Sequence, residues 1–437
     1  MIHELAAIVG AGHVEAPPPA RYLHDATLQR GLRGRAAAVV RPGDAEEVAR
    51  VVEWCYSRGA PIVPRGGGSG LAGGAVPLDA DAVVLSLERL RRVRSFSPEL
   101  WRMEVEAGLL TSDVQRLARE NGLWFPPDPG AAEQSQIGGN VATNAGGPHA
   151  FRHGQTGAWV TGVEAVIAPG SLVRFGGPVR KDVAGYDLKD LLIGSEGTLG
   201  LITAVWLRLI PPPEREPTVV AAFFDSVRAG CDAVLEVIGS GIECEAIEFL
   251  DGTSFGAAAT TFPGAAPASD PPSLVLLFEL RDPAELVELI DGEELEPSSV
   301  WRWRDTVHGA VTSLRGGKLS EDVAVPVERL ADALERLPAI GSRHGLETCA
   351  WGHAGDGNIH ATFLISPDDH RAAERAAGDV FALAVELGGT VTGEHGIGWL
   401  KRGRLSEQWS APAVTLHRCV KDAFDPKGLF NPGKKAP

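Results

Sequence analysis

"PRGGGSGLAGG", residues 64–74, carries Gly66, Gly67, Gly68, Gly70, Gly73 and Gly74. Glycine lets a backbone approach a ligand closely and aim successive N–H groups at phosphate oxygens. Two more patches follow, "IGGNVATNAGG" (137–147) and "LLIGSEGTLG" (191–200). None fits the P-loop spacing or a G-x-G-x-x-G that opens a helix. Singly, each reads as a turn. Three in one domain, with Arg65, Ser69, Asn140 and Asn144 among them, predict a cradle for a long diphosphate ligand.

The flanking segments set this cradle in mixed α and β structure. Residues 36–76 read strand, helix, strand, loop, with Asp44 capping a helix over 45–58 that Gly59 ends. Strands are expected at 82–90 and 102–108, a helix at 111–121, a rigid extended turn at 126–130 and a hairpin over 159–176. "IVGAG" (8–12) fails as a dinucleotide fingerprint, because Glu15 holds the third glycine position and prolines follow. An opening helix and a loop are expected there. Pro211–Pro213 marks a domain boundary. Beyond it the pattern predicts strand 218–224, helix 226–240, strand 244–250, an Ala/Pro-rich loop (257–272), strand 273–280 and helix 283–291. A strand before Pro326, a helix that Pro326 starts and a helix over 368–387 complete this sheet domain.

Composition narrows the function. The chain has 437 residues, enough for two or three domains, and 44% hydrophobic and 22% charged residues, ordinary for a globular protein. A net charge of -16 disfavours nucleic acid and anionic membranes. No apolar run is long enough for a membrane span, and the N-terminus does not read as a signal peptide. Five scattered cysteines (55, 231, 244, 349, 419) without a C-x-x-C fit reduced thiols in a cytoplasm.

"WGHAGDGNIH" (351–360) sets two histidines seven apart around three glycines. Asp356-Gly357 is a favoured two-residue hairpin turn, which would pair His353 with His360 on one face. Directly opposed Cβ atoms lie roughly 5 Å apart. That suits two ligands on one metal, or two hydrogen-bonded core histidines. "TGEHGIG" (392–398) adds Glu394 and His395. With the hairpin they make a candidate two-His, one-carboxylate metal site plus a spare histidine. The alternative is a metal-free histidine cluster that still handles protons.

Taken in order, "PRGGGSGLAGG", "IGGNVATNAGGPHAFRHGQTGAWVTGVEAVIA", "RKDVAGYDLKDLLIGSEGTLGLITAVWLRLIP", "GHAGDGNIH", "GEHGIG" and "FDPKGLFNPGK" resemble the flavin-dependent D-2-hydroxyacid dehydrogenases. These belong to the vanillyl-alcohol oxidase class of FAD proteins. They include the glycolate oxidase flavin subunit, cytochrome-type D-lactate dehydrogenase and D-2-hydroxyglutarate dehydrogenase. The resemblance implies an α+β fold: an N-terminal helix and lead-in (1–30), then a two-subdomain FAD-binding domain of the vanillyl-alcohol oxidase (PCMH) type (31–213). An α+β substrate or cap domain with an antiparallel sheet (214–420) follows, and then a tail (421–437) returning to the flavin.

Carried over by motif, Arg65, Gly66, Gly67, Gly68, Ser69, Gly70 and Gly73 would wrap the pyrophosphate. Pro127 and Asp128 would border the flavin. Gly138, Gly139, Asn140, Ala142, Asn144, Ala145, Gly146 and Gly147 would hold the diphosphate and ribityl chain. Gly185, Tyr186, Glu196, Gly197, Gly200 and Ile202 would shape the isoalloxazine and adenine pockets, and Asn431 would return to the flavin edge. Covalent members carry a histidine in the first glycine patch. Ser69 and Leu71 stand there instead, so non-covalent FAD is expected.

The same resemblance implies His353, His360 and Glu394 as ligands of a divalent metal, zinc foremost, and His395 as the base. Arg304 and Lys318 would face the substrate carboxylate, and Asn358 would orient a ligand or touch substrate. His308 falls where the hydroxyglutarate-type pattern has threonine, which leaves the substrate's side chain open. The implied activity is oxidation of a small D-2-hydroxyacid to the 2-oxoacid. The electrons would pass to a quinone, an electron-transfer flavoprotein, a cytochrome or an iron–sulfur subunit. A homodimer or hetero-complex, cytoplasmic or held at a membrane by its partner, fits this reading. Its rivals are an oxidase of another alcohol on the same fold and a non-catalytic flavoprotein subunit.

Overall fold

The computed structural model describes residues 1–265 and 271–437. The expected loop over 257–272 therefore lies partly outside the described residues. The chain divides into two compact units: Met1–Gly147 with Gly154–Pro212 and Glu394–Pro437, and Pro148–His153 with Pro213–Gly393. The second unit ends at Gly393, earlier than the 214–420 expected, and it takes six residues from before the triple proline.

The first unit contains two sheets. Val14–Glu15 (β1), Ala38–Val40 (β2), Ile62–Arg65 (β3) and Val83–Ser86 (β4) form a mixed sheet in the order β1-β2-β4-β3. Val93–Ser97 (β5), Arg102–Glu106 (β6), Val160–Ile167 (β7), Ser171–Gly176 (β8) and Leu201–Arg208 (β9) form an antiparallel sheet, β5-β6-β9-β7-β8. The helix Ala45–Arg58 forms where expected. The Asp44 carboxylate accepts the Glu47 N–H at 2.7 Å, and Gly59 closes the helix in the left-handed region at φ 67°. Val48, Val51, Val52 and Cys55, spaced for one helical face, are fully buried.

The second glycine patch holds a helix, Ile137–Thr143, against the low helix propensity of glycine. Packing outweighs propensity here: a Cβ on Gly138 would fall 2.4 Å from the Ala107 Cβ, so only glycine lets this helix lie so close to the chain after β6. The tail returns to β3. Ile62 N–H donates to Leu429 O at 2.8 Å, Asn431 N–H donates to Ile62 O at 2.7 Å, and Phe430 is fully buried.

In the second unit Thr218–Phe224 (β10), Cys244–Asp251 (β11), Leu274–Leu280 (β12), Glu293–Leu295 (β13), Gly317–Ala324 (β14), Glu347–His353 (β15) and Asn358–Ile365 (β16) form one antiparallel sheet. Its order is β13-β10-β12-β11-β15-β16-β14. The helices Gly252–Ala258 and Pro297–Arg315 cover one face, with Val300, Trp303, Val307 and Val311 packed on Leu250, Leu277, Trp351 and Leu364. Helices Leu330–Arg343 and His370–Glu386 cover the other, against Val323, Ile359 and Ala361. The helix Pro297–Arg315 was not expected from a stretch read for its charges. Glu296 caps it by accepting the Ser298 and Ser299 N–H groups, and Gly316 ends it at φ 80°. All five cysteines are free, four of them buried. Among the described residues no helix is long and apolar enough to cross a membrane.

Candidate active site

In the first unit the three glycine patches converge on one cavity. Arg65, Gly66, Gly67, Gly68, Ser69 and Gly70 line it from the first patch. Gly138, Gly139, Asn140 and Ala142 line it from the second, and Glu196, Gly197, Gly200 and Ile202 from the third. His395 completes the wall. The walls suit a close-lying ligand. A Cβ on Gly139 would meet only open space, whereas one on Gly67 would sit 2.0 Å from Gln134 O. Gln136 Oε1 lines the cavity, buried and without a hydrogen-bond partner, which leaves an acceptor for a hydroxyl-bearing ligand.

Gly67→Ala tests the cradle. The backbone at Gln134 must move to admit the methyl group, and such overpacking costs roughly 1–3 kcal/mol. We expect cofactor binding to weaken by about 10–100-fold, read as loss of yellow colour on gel filtration.

Several expected residues act otherwise. The Arg65 guanidinium turns away and donates to Arg21 O at 2.7 Å and His24 O at 2.8 Å, so it fixes the N-terminal lead-in. The Asn140 amide donates to Thr111 and Ser135. Gly73, Pro127, Asp128, Asn144, Ala145, Gly146, Gly147 and Asn431 lie outside the cavity wall. Asn144, at φ 51°, caps the second-patch helix and accepts the Gly157 N–H; Ala145 O accepts the Thr156 N–H. Pro127 O accepts from Gln115, and Gly147 packs on Asp128. Gly185 and Tyr186 are exposed, Tyr186 by 96%, so in this structure they shape no pocket. Asn431 ties the tail in, its amide donating to Gly74 O at 2.9 Å and Glu196 O at 2.8 Å.

In the second unit the histidine hairpin has a different register from the expected one. A four-residue loop holding a 3-10 turn, Ala354–Asp356, and Gly357 at φ 69° replaces the two-residue turn. His353 pairs with Asn358, and His360 pairs with Trp351. The histidines still share a face, with ring centroids 5.5 Å apart. His353 Nδ1 is hydrogen-bonded to the Glu248 carboxylate, from the neighbouring strand β11. That is the arrangement that orients a metal-ligating imidazole and presents its Nε2. The donor set of the hairpin therefore fits a metal ion. Beside it Asn358 Oδ1 is buried and has no hydrogen-bond partner among the described residues.

Arg304 does not reach into an open cleft. Its Nε and Nη2 grip Glu248 Oε2 at 3.0 and 2.8 Å, making a largely buried Arg304–Glu248–His353 chain. Burial pushes the Glu248 carboxyl up, but the His353 and Arg304 charges prevail and hold it below the usual range. The Lys318 Nζ lies 4.4 Å over the Trp351 ring and donates to His308 O at 3.0 Å. Sequence reading missed Glu248 and Asp322. Each is a carboxylate inside an apolar strand pattern, "AIEFL" and "EDVAV", and that is the signal that could have found it. Asp322 accepts Asn358 Nδ2 at 2.6 Å, Thr392 Oγ1 at 2.7 Å and the Gly393 N–H at 3.0 Å, which fixes the start of the second histidine loop. The chain passes into the first unit at Glu394, whose carboxylate lies 3.6 Å from His395 Nε2.

The matches to known families decide the class. Residues 213–435 match the FAD linked oxidases, C-terminal domain, and residues 36–176 match an FAD binding domain. The chain belongs to the FAD-linked oxidases. It is 34% identical to the "Glycolate oxidase subunit GlcD" of Bacillus subtilis, over 94% of this chain and 91% of that one. It is 33% identical to a "D-lactate dehydrogenase" of Archaeoglobus fulgidus, over 99% and 98%. The solved structure of p-cresol methylhydroxylase with substrate bound superposes with a TM-score of 0.76, at 17% identity, over 99% of this chain and 95% of that one. This FAD-linked oxidase is thus an FAD-dependent oxidoreductase with the α+β, PCMH-type fold.

Proposed function

We propose that this FAD-linked oxidase dehydrogenates a small D-2-hydroxyacid, of the glycolate, D-lactate or 2-hydroxyglutarate type, to the 2-oxoacid. The observation that supports the reading is His395 in the wall of the cavity built by the three glycine patches: with FAD in that cavity, the imidazole would serve as proton acceptor beside the oxidant. Relatives named for glycolate and D-lactate support the substrate class. When bound, FAD supplies the two-electron oxidant that takes a hydride from C2. His395 accepts the hydroxyl proton. A divalent cation, zinc in the first instance, would lower the pKa of a ligated hydroxyl. His353, His360 and Glu394 would hold it. Glu394 follows Gly393, whose N–H is already held beside the hairpin by Asp322, and this favours Glu394 as the third donor.

Arg304 is committed to Glu248, so the substrate carboxylate falls to Lys318. Burial pushes the Lys318 ammonium down to about 8. Charged Lys318 binds a carboxylate below that pH, and neutral Lys318 does not above it. We expect KM to rise roughly tenfold per unit above pH 8, and Lys318→Met to flatten that rise by raising KM below pH 8. Onward transfer goes to an external acceptor, a quinone or a second redox protein, in a cytoplasmic or membrane-peripheral setting. The decisive test is anaerobic titration with a hydroxyacid panel, with and without chelator, following the flavin absorbance. A flavin that no hydroxyacid bleaches would end this reading.

A further inference from the structure

Glu196 is one of five non-glycine residues with positive φ among the described residues, at 55°. For a side chain with a Cβ that region is disfavoured. A glycine would fit the backbone without strain, so the retained side chain calls for an explanation. Its carboxylate is buried and points at the second histidine loop. It accepts the Ile397 N–H at 2.9 Å and the Gly398 N–H at 2.6 Å. A Cβ on Gly396 would lie 2.9 Å from its Oε1, so the loop presses directly on the carboxylate. His395 is the residue before that glycine.

The support continues into the last residues of the chain. Lys435 Nζ lies 3.1 Å from Glu196 Oε1, and the Lys435 N–H donates to Gly398 O at 2.9 Å. The buried Lys434 ammonium donates to Gly74 O, which also accepts from Asn431. Glu196 N–H donates to Ala142 O at 2.7 Å, so the same residue is braced on the second glycine patch. One buried carboxylate therefore joins two walls of the FAD cavity, the tail and the loop that carries His395.

We propose that Glu196, paired with Lys435, is a positioning residue that sets His395 against the cofactor cavity. This rests on the reading of His395 as the base. An amide cannot accept two N–H groups and pair with a lysine as a carboxylate does, so Glu196→Gln loosens residues 396–398 without removing the imidazole. The test uses FAD-loaded Glu196→Gln and Lys435→Met with D-lactate and glycolate. Flavin reduction should slow on the order of 10²-fold in Glu196→Gln, with little change in KM and full FAD content. Lys435→Met should shift both readouts in the same direction by less. Hydrogen exchange at the Ile397 and Gly398 amides should accelerate in the same samples. Unchanged exchange at those amides overturns the proposal, as does lost FAD content with unchanged exchange. His395→Ala run in parallel separates the two ideas: native reduction in that variant defeats the base assignment, and the exchange measurement still decides Glu196.

Discussion

His395→Ala should bind FAD as the native protein does and yet reduce it about 10²–10⁴-fold more slowly with a hydroxyacid. The two halves of that expectation have separate causes. The cradle is made largely of backbone, the glycines of three patches set close by contacts such as Gly138 on Ala107. Removing one imidazole from the wall leaves those contacts in place. The proton, in contrast, has to leave the hydroxyl as the hydride leaves C2. An alcohol in water gives up its proton only at a pH far above neutral, whereas an imidazole accepts one near pH 7. Anaerobic stopped-flow separates the halves: the absorbance spectrum reports bound FAD, and its decay after mixing reports the chemistry. A variant that bleaches at the native rate would remove His395 from the reaction.

The parts of the fold set by local chemistry were legible in the sequence. Asp44 and Gly59 bracket a helix because one caps with a side chain and the other tolerates a left-handed turn. The hairpin expected over 159–176 forms, Val160–Ile167 pairing with Ser171–Gly176 around the Pro-Gly turn. The histidine hairpin shows why a wrong register can leave a right conclusion. Two extra loop residues moved the partner of His353 from 360 to 358, and an even shift keeps both rings on one face. Long-range pairing was not legible. Nothing near Arg304 in the sequence says that it bonds a residue 56 positions earlier, on β11; the family motif alone assigned it to substrate. Tyr186, which its motif assigned to the flavin, stands in solvent in this structure. The helix Pro297–Arg315 was hidden because its charged residues drew the reading and its apolar stripe, 300, 303, 307 and 311, was left uncounted.

Glu248→Gln should lower metal retention by about 10–100-fold while leaving the FAD cradle untouched. Glu248 is fully buried, and it holds His353 Nδ1 with one oxygen and Arg304 with the other. An amide can keep the first contact, but it cannot fix the tautomer of the ring as a carboxylate does, and it leaves the guanidinium without an opposite charge. Glu248→Ala is harsher, because removing one partner of a buried pair costs roughly 3–5 kcal/mol in stability. The double variant Arg304→Met with Glu248→Gln separates the two effects. Replacing both charges restores stability toward the native value, since no buried ion is left unpaired. It does not restore the carboxylate behind His353, so the metal should stay weakly held. Chelator competition measures the first quantity and thermal unfolding the second. If Glu248→Gln keeps its metal as tightly as the native chain, the carboxylate serves only to neutralise Arg304, and His353 is a core histidine, not a ligand.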